Sequence, residues 1–135
     1  MKPDGGQGRR SPRERFAGAE HLFDLRKIAA RIRDESTPVR DGHRQMTIFH
    51  KQALTLVVFD FETGGRLADH HAEADVTILA LTGRLQVSTP TETYQLPEGS
   101  ALVLDPGVRH DVYAPEGGQM LLAVARIAER TPDGS

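Results

Sequence analysis

The fold is decided by residues 64–83, GGRLADHHAEADVTILALTG, and by residues 99–114, GSALVLDPGVRHDVYA. In the first stretch Val76, Ile78 and Ala80 alternate with Thr77, Leu79 and Leu81, the spacing of a strand whose successive side chains face opposite sides. Gly83 follows Thr82 at a reversal where positive φ is cheap only without a β-carbon, and Gly99 and Gly107 occupy comparable corners. Each stretch delivers one histidine, His70 or His110, to the end of a strand-like run. Two imidazoles brought together in a small β-barrel are half of a metal site, so the question is whether the other half exists.

Outward from these stretches the pattern repeats. Met46–Phe49, Leu54–Phe61, Arg66–His71, Val76–Leu81, Arg84–Ser88, Thr93–Leu96, Ala101–Leu104, Arg109–Tyr113 and Met120–Ala125 read as β-rich runs. Turn signals separate them: Thr63-Gly64-Gly65, Thr82-Gly83, Thr89-Pro90, Pro97-Glu98-Gly99, Asp105-Pro106-Gly107 and Pro115 to Gly118. Nine short strands without intervening helices predict an all-β, antiparallel sandwich or barrel. Leu54–Phe61 is apolar on both faces, so either Leu56 and Val58 or Val57 and Phe59 could line the interior. The other face then needs a cover, supplied by a helix or by a second subunit.

Before the strands, Leu22, Leu25, Ile28, Ala29 and Ile32 recur at helical spacing with arginines and Lys27 mostly off the stripe. One amphipathic α-helix from Leu22 to about Glu35 is expected, stopped by Ser36-Thr37-Pro38. The chain therefore divides into a disordered, mildly basic arm over 1–20, the helix and a linker over 21–44, the barrel over 45–127 and a polar tail over 128–135. His43 and His50 fall near strand ends and read as surface residues, and His21 as the solvated approach to the helix.

Composition narrows the chemistry. At 135 residues with a formal charge of -2 the chain has room for one core and exerts no global pull on nucleic acid or anionic lipid. The absence of cysteine excludes a disulfide framework, thiolate nucleophiles and Cys-ligated zinc or iron–sulfur clusters. There is no apolar run long enough for a membrane span, no phosphate-cradling glycine loop, no nucleophile elbow and no aromatic-basic interleaving for bases. A cytoplasmic protein without nucleic-acid or membrane partners is expected.

These residues resemble the cupin family. Its first motif runs glycine, five residues, histidine, one residue, histidine, three or four residues, glutamate, six residues, glycine; here Gly64, His70 and Gly83 keep register, with Ala72 at the second histidine and Val76 at the glutamate. The second motif is matched by Gly99, Gly107 and His110, with Asp105 at the proline position and Ala114 at the asparagine. The resemblance covers about residues 46–125 and implies a double-stranded β-helix, or jelly roll, with the N-terminal helix outside the motifs. It further implies one divalent metal (iron, manganese, nickel or zinc) held by the motif histidines and glutamate. Only His70 and His110 carry over to that set; Ala72 and Val76 supply nothing. A neighbouring bulge turning His71 and Glu73 inward would be one way to make up the loss.

A metal-free polar pocket is therefore preferred to a metal centre, with His70 and His110 at its end and Val76, Ile78, Ala80 and Val112 along its inner face. The preferred function is binding of a small organic ligand, as sensor, carrier or regulatory module. A metal-dependent enzyme of dioxygenase or isomerase type, with water or substrate completing coordination by His70 and His110, is the first alternative, and an interaction protein with a vestigial pocket the second. Whether the chain is catalytic is left open. The resemblance also implies a homodimer.

Overall fold

The computed structural model describes residues 19–35 and 41–126. Most of the expected arm, the expected tail and the Ser36-Thr37-Pro38 helix stop lie outside those residues. A helix, α1 (Leu25–Glu35), precedes nine strands: β1 (His43–His50), β2 (Leu54–Phe61), β3 (Gly65–His70), β4 (Ala74–Gly83), β5 (Leu85–Ser88), β6 (Thr93–Leu96), β7 (Ala101–Leu104), β8 (His110–Ala114) and β9 (Gly118–Arg126). All nine expected strands are present, each within a few residues of the sequence reading, and no described helix is long and apolar enough to cross a membrane.

The strands form two antiparallel sheets, one ordered β1-β2-β9-β4-β7 and the other β3-β8-β5-β6. Their inner faces meet in one core of Val57, Phe59, Phe61, Val76, Ile78, Ala80, Leu85, Val87, Val112, Met120 and neighbours. The turns that reverse the chain are set by glycines with positive φ, among them Gly83 at 75° and Gly99 at 88°. Gly83 has a second reason: a β-carbon there would stand 2.6 Å from the Gly117 carbonyl oxygen.

The ambiguity of the β2 sequence resolves by parity. Odd-numbered Val57, Phe59 and Phe61 face the barrel core, and even-numbered Val58 faces outward into a second cluster with Ala29 and Ile32 of α1. The cover for the outer face is thus the helix, whose apolar stripe finds Val58, Ile48 and Leu121. The helix starts at Leu25, three residues later than its apolar spacing predicts. Asp24 caps it, its Oδ1 accepting from the Lys27 amide at 3.1 Å, and Leu22 is left outside the stripe at 98% exposed.

Beside Val58 on the same face, Asp60 is fully buried. Its carboxylate accepts from Arg33 of α1, Arg44 of β1 and Gln119 of β9, so three elements converge on one charge. Arg44 continues to Glu62 at 2.9 Å.

One surface assignment is corrected. His43 is buried, because β1 begins there and pairs it with Phe61 on the inner face. Its Nδ1 donates to the Arg66 carbonyl at 3.0 Å, and its ring packs against Phe59 and Phe61. His50 is exposed, as expected, and hydrogen-bonds Thr55 at 2.8 Å.

Candidate functional site

β3 and β8 are neighbours, and their register carries the site. Gly65 pairs with Ala114, Leu67 with Val112, and His70 with His110. Three steps along β3 from Leu67 thus match two along β8, which is a bulge of one residue. In an unbulged ladder the residue facing His110 would be Asp69. The bulge therefore brings His70 onto the face of Leu67 and Val112, and the alternative in which a bulge turns His71 inward is not what forms. His71, Glu73 and Asp75 are exposed, and the Glu73 carboxylate lies over Gly107.

The two imidazoles stand with ring centroids 6.4 Å apart at an angle of 46°. They differ sharply in environment: His110 is 5% exposed, on the inner face of β8 with Val112 and Ala114, and His70 is exposed at the rim. His110 Nδ1 lies 3.2 Å from the Val108 carbonyl, which can only accept, so Nδ1 carries the hydrogen. In the neutral ring that leaves Nε2 as an acceptor, and among the described residues it has no hydrogen-bond partner. A buried residue with a polar atom left this way is uncommon in a folded protein, and His110 lines the cleft described below.

Around the pair, the Gly107 amide donates to the Ala72 carbonyl at 2.7 Å, fastening the β3–β4 connection to the β7–β8 turn. Val76, Ile78, Ala80 and Val112, the residues expected along the inner face, are buried in the core with Phe59 and Leu85. Beside His110 a cleft of about 220 Å³ is lined by Ser88, Thr89, Pro90, Arg109 and Asp111. Sequence reasoning does not single out Ser88, Thr89 or Arg109 for this place. They arrive because β5 pairs with β8, Ser88 opposite Asp111, a long-range pairing that no local spacing encodes.

The donor set does not fit a tightly held divalent cation. Among the described residues no group of three or more His, Cys, Asp or Glu side chains converges, and Ala72 and Val76 carry no donor. Two imidazoles fall short of the three protein ligands that even an open catalytic zinc site uses.

No family model and no curated protein matches the chain. Solved structures do. A conserved protein of unknown function from Streptococcus pyogenes superposes with a TM-score of 0.65 at 28% identity, over 82% of this chain and 92% of that one. An RmlC-like cupin from Shewanella frigidimarina gives 0.61 at 19% identity, over 67% and 82% of the two chains. KdgF from Halomonas sp. gives 0.59 at 23% identity, over 68% and 86%.

Proposed function

The chain has the fold of a small cupin domain, and from that premise we propose that it binds a small organic ligand at the barrel mouth, between His70 and His110, without a tightly held metal. The observation that carries this reading is His110, 5% exposed, whose Nε2 is an acceptor with no hydrogen-bond partner among the described residues and whose ring centroid lies 6.4 Å from that of a second imidazole, His70. A ligand hydroxyl, amide or protonated acid supplies the hydrogen that this nitrogen lacks, and His70 contributes a second polar contact at the rim. Val76, Ile78, Ala80 and Val112 supply the apolar inner wall, and the cleft of Ser88, Thr89 and Arg109 adjoins the mouth beside His110. Sensor, carrier and regulatory roles share this chemistry, and all are compatible with a cytoplasmic protein.

Ligand-observed NMR with a panel of small sugars, hydroxy acids and carboxylic acids tests the proposal. Binding is expected that His110→Ala abolishes and His70→Ala weakens, with the fold unchanged by circular dichroism. If no member binds in a His110-dependent way, or if purified protein retains about one transition metal per chain that the double variant loses, the reading fails. The metal-dependent enzyme would then take its place.

A further inference from the structure

The barrel end that carries the histidine pair also carries a second polar group, on the other sheet. β9 ends at Arg126, which pairs with Ala74 at the start of β4, and Ala74 follows His70 by four residues. Arg126 therefore stands at the same end of the barrel as His70. Alternation puts its side chain toward the interior, because Val124, two residues earlier, packs against the barrel core. Thr55, the register partner of Val124 on β2, shares a face with Val57 and Phe59 and is 9% exposed. The Arg126 amide donates to the Ala53 carbonyl at 2.7 Å, which fixes the strand end against the β1–β2 turn.

Arg126 Nη2 donates to the Thr55 hydroxyl, and Nη1 reaches the Lys51 carbonyl at 3.5 Å. His50 Nδ1 lies 2.8 Å from the same hydroxyl. A guanidinium can only donate, so the hydroxyl accepts from Arg126, and its own hydrogen goes to His50 Nδ1. In the neutral ring His50 Nε2 then carries the hydrogen, so guanidinium and imidazole meet on one buried oxygen with donors to spare. Arg33 and Arg44 are neutralised by Asp60 and Glu62, whereas Arg126 has no carboxylate within ion-pair distance among the described residues. The acidic side chains near it in the ladder point elsewhere: Asp75, opposite Ala125, belongs to the outer face, and Glu73 lies over Gly107. Lys51 turns its ammonium to the Phe49 ring, 5.7 Å from the centroid. One positive charge is left at this place.

We propose that Arg126, braced by Thr55 and flanked by His50, is a carboxylate subsite of the barrel mouth, and that the molecule taken there is a small organic acid. The inference rests on the ligand reading for the rest of that molecule, whose hydroxyl serves His110 Nε2 while its carboxylate meets the guanidinium. The planar fork of a guanidinium matches the two oxygens of a carboxylate, and such charge-assisted bonds are roughly twice as strong as neutral ones. A single positive charge suits a monoanion better than a phosphate dianion. A role as a mere strut explains less. The Thr55 hydroxyl and the Lys51 carbonyl are neutral acceptors that an amide would serve as well, without drawing a charge into a partly buried place.

Acetate is the probe for the subsite, and acetamide, similar in shape and uncharged, is its control. In proton–nitrogen NMR spectra of the full chain at constant ionic strength, acetate should shift the Arg126 Nε–H and Thr55 amide signals saturably. It should bind at least about tenfold more tightly than acetamide, the least that one hydrogen-bonded charge pair supplies. Arg126→Gln should erase that preference and leave the circular dichroism spectrum unchanged. Among larger probes, glycolate should bind at least about tenfold more tightly than glycolamide, and His110→Ala should weaken both. Absence of a saturable shift at Arg126, or a preference for acetate that Arg126→Gln leaves intact, overturns the subsite. Acetate that shifts Arg126 in a protein with no His110-dependent binding of any probe upholds the subsite and overturns the ligand reading instead. If Arg126→Gln fails to fold, the wild-type preference for acetate over acetamide at the Arg126 signal decides.

Discussion

Arg33 of the helix grips Asp60 of β2, with Nε 3.0 Å and Nη2 2.9 Å from Oδ1 of a carboxylate that has no exposed surface. The hydrogen bond and charge of Asp60 push the Arg33 guanidinium above its ordinary pKa, so Arg33 stays charged wherever the protein is folded. A base raised in this way contributes stability below its unfolded pKa and loses it only as pH rises through the folded one, here beyond the alkaline range in which proteins are handled. α1 is attached through buried Ala29 and Ile32, with Leu25 and Ile28 packed beside them, and the Arg33–Asp60 contact adds a polar tie to that apolar seam.

Replacing the carboxylate should therefore hurt more than replacing the exposed arginine. Asp60→Ala leaves Arg44, with a side chain 11% exposed, without its inner partner and is expected to cost about 3 kcal/mol. Asp60→Asn keeps an acceptor oxygen and should cost less, about 2 kcal/mol. Arg33→Ala, half exposed, should cost under about 1 kcal/mol. Urea denaturation of the three variants checks the order, and an Arg33→Ala loss equal to that of Asp60→Ala would show that the helix contact, and not the burial of charge, governs the cluster.

How much of this is legible in the sequence depends on whether the signal is local. The alternation of Val76, Ile78 and Ala80 and the glycines at 83, 99 and 107 are local, and they place the strands and corners. In β2 every position is apolar or small up to Asp60, so only the arrival of α1 on Val58 decides which parity faces in. Asp60 itself carries no sign of burial in the sequence, because its partners lie on three other elements. His43 misleads for a related reason: it and the polar Arg44 and Gln45 precede the run from Met46 that reads as a strand, and only the pairing with Phe61 turns the ring inward. At the site, His70 and His110 are visible from motif spacing. The bulge that aligns them and the cleft residues of β5 belong to pairings between distant segments.

The burial of His43 has a measurable consequence. His43→Ala removes a ring packed on Phe59 and Phe61 and strands the Arg66 carbonyl, so a loss of about 2–4 kcal/mol is expected. His50→Ala, exposed and bonded only to Thr55, should cost no more than about 1 kcal/mol. Thermal melts of the pair separate the two histidines; similar melting points would place His43 at the surface.

Gly83 and Gly99 share a left-handed backbone and differ in surroundings. At Gly99 nothing lies within 4 Å of where an added β-carbon would sit, so Gly99→Ala meets only the backbone strain, about 1 kcal/mol. At Gly83 the Gly117 oxygen would lie 2.6 Å away, and something must move. Gly83→Ala should cost at least about 2 kcal/mol and shift the amide signals of the β8–β9 turn in NMR spectra. An equal cost at both positions would mean that the turn yields to the added methyl.

The bulge in β3 offers a test of how the two imidazoles are brought together. Leu67 faces Val112 and His70 faces His110, so one residue between them is surplus to the ladder. Deleting Ala68 removes that surplus and leaves a regular strand in which His70 still stands opposite His110. Because the chain has no cysteine, His70→Cys with His110→Cys reports the approach as a disulfide, since residues paired across an antiparallel ladder hold their α-carbons about 4.5–5.5 Å apart. The bridge is expected in the full-length background and in the Ala68 deletion alike. Asp69→Cys with His110→Cys, the pair that an unbulged ladder would favour, should bridge poorly in the full-length chain. A bridge at 69 and none at 70 would shift the register by one residue and replace His70 with Asp69 as the neighbour of His110 at the mouth.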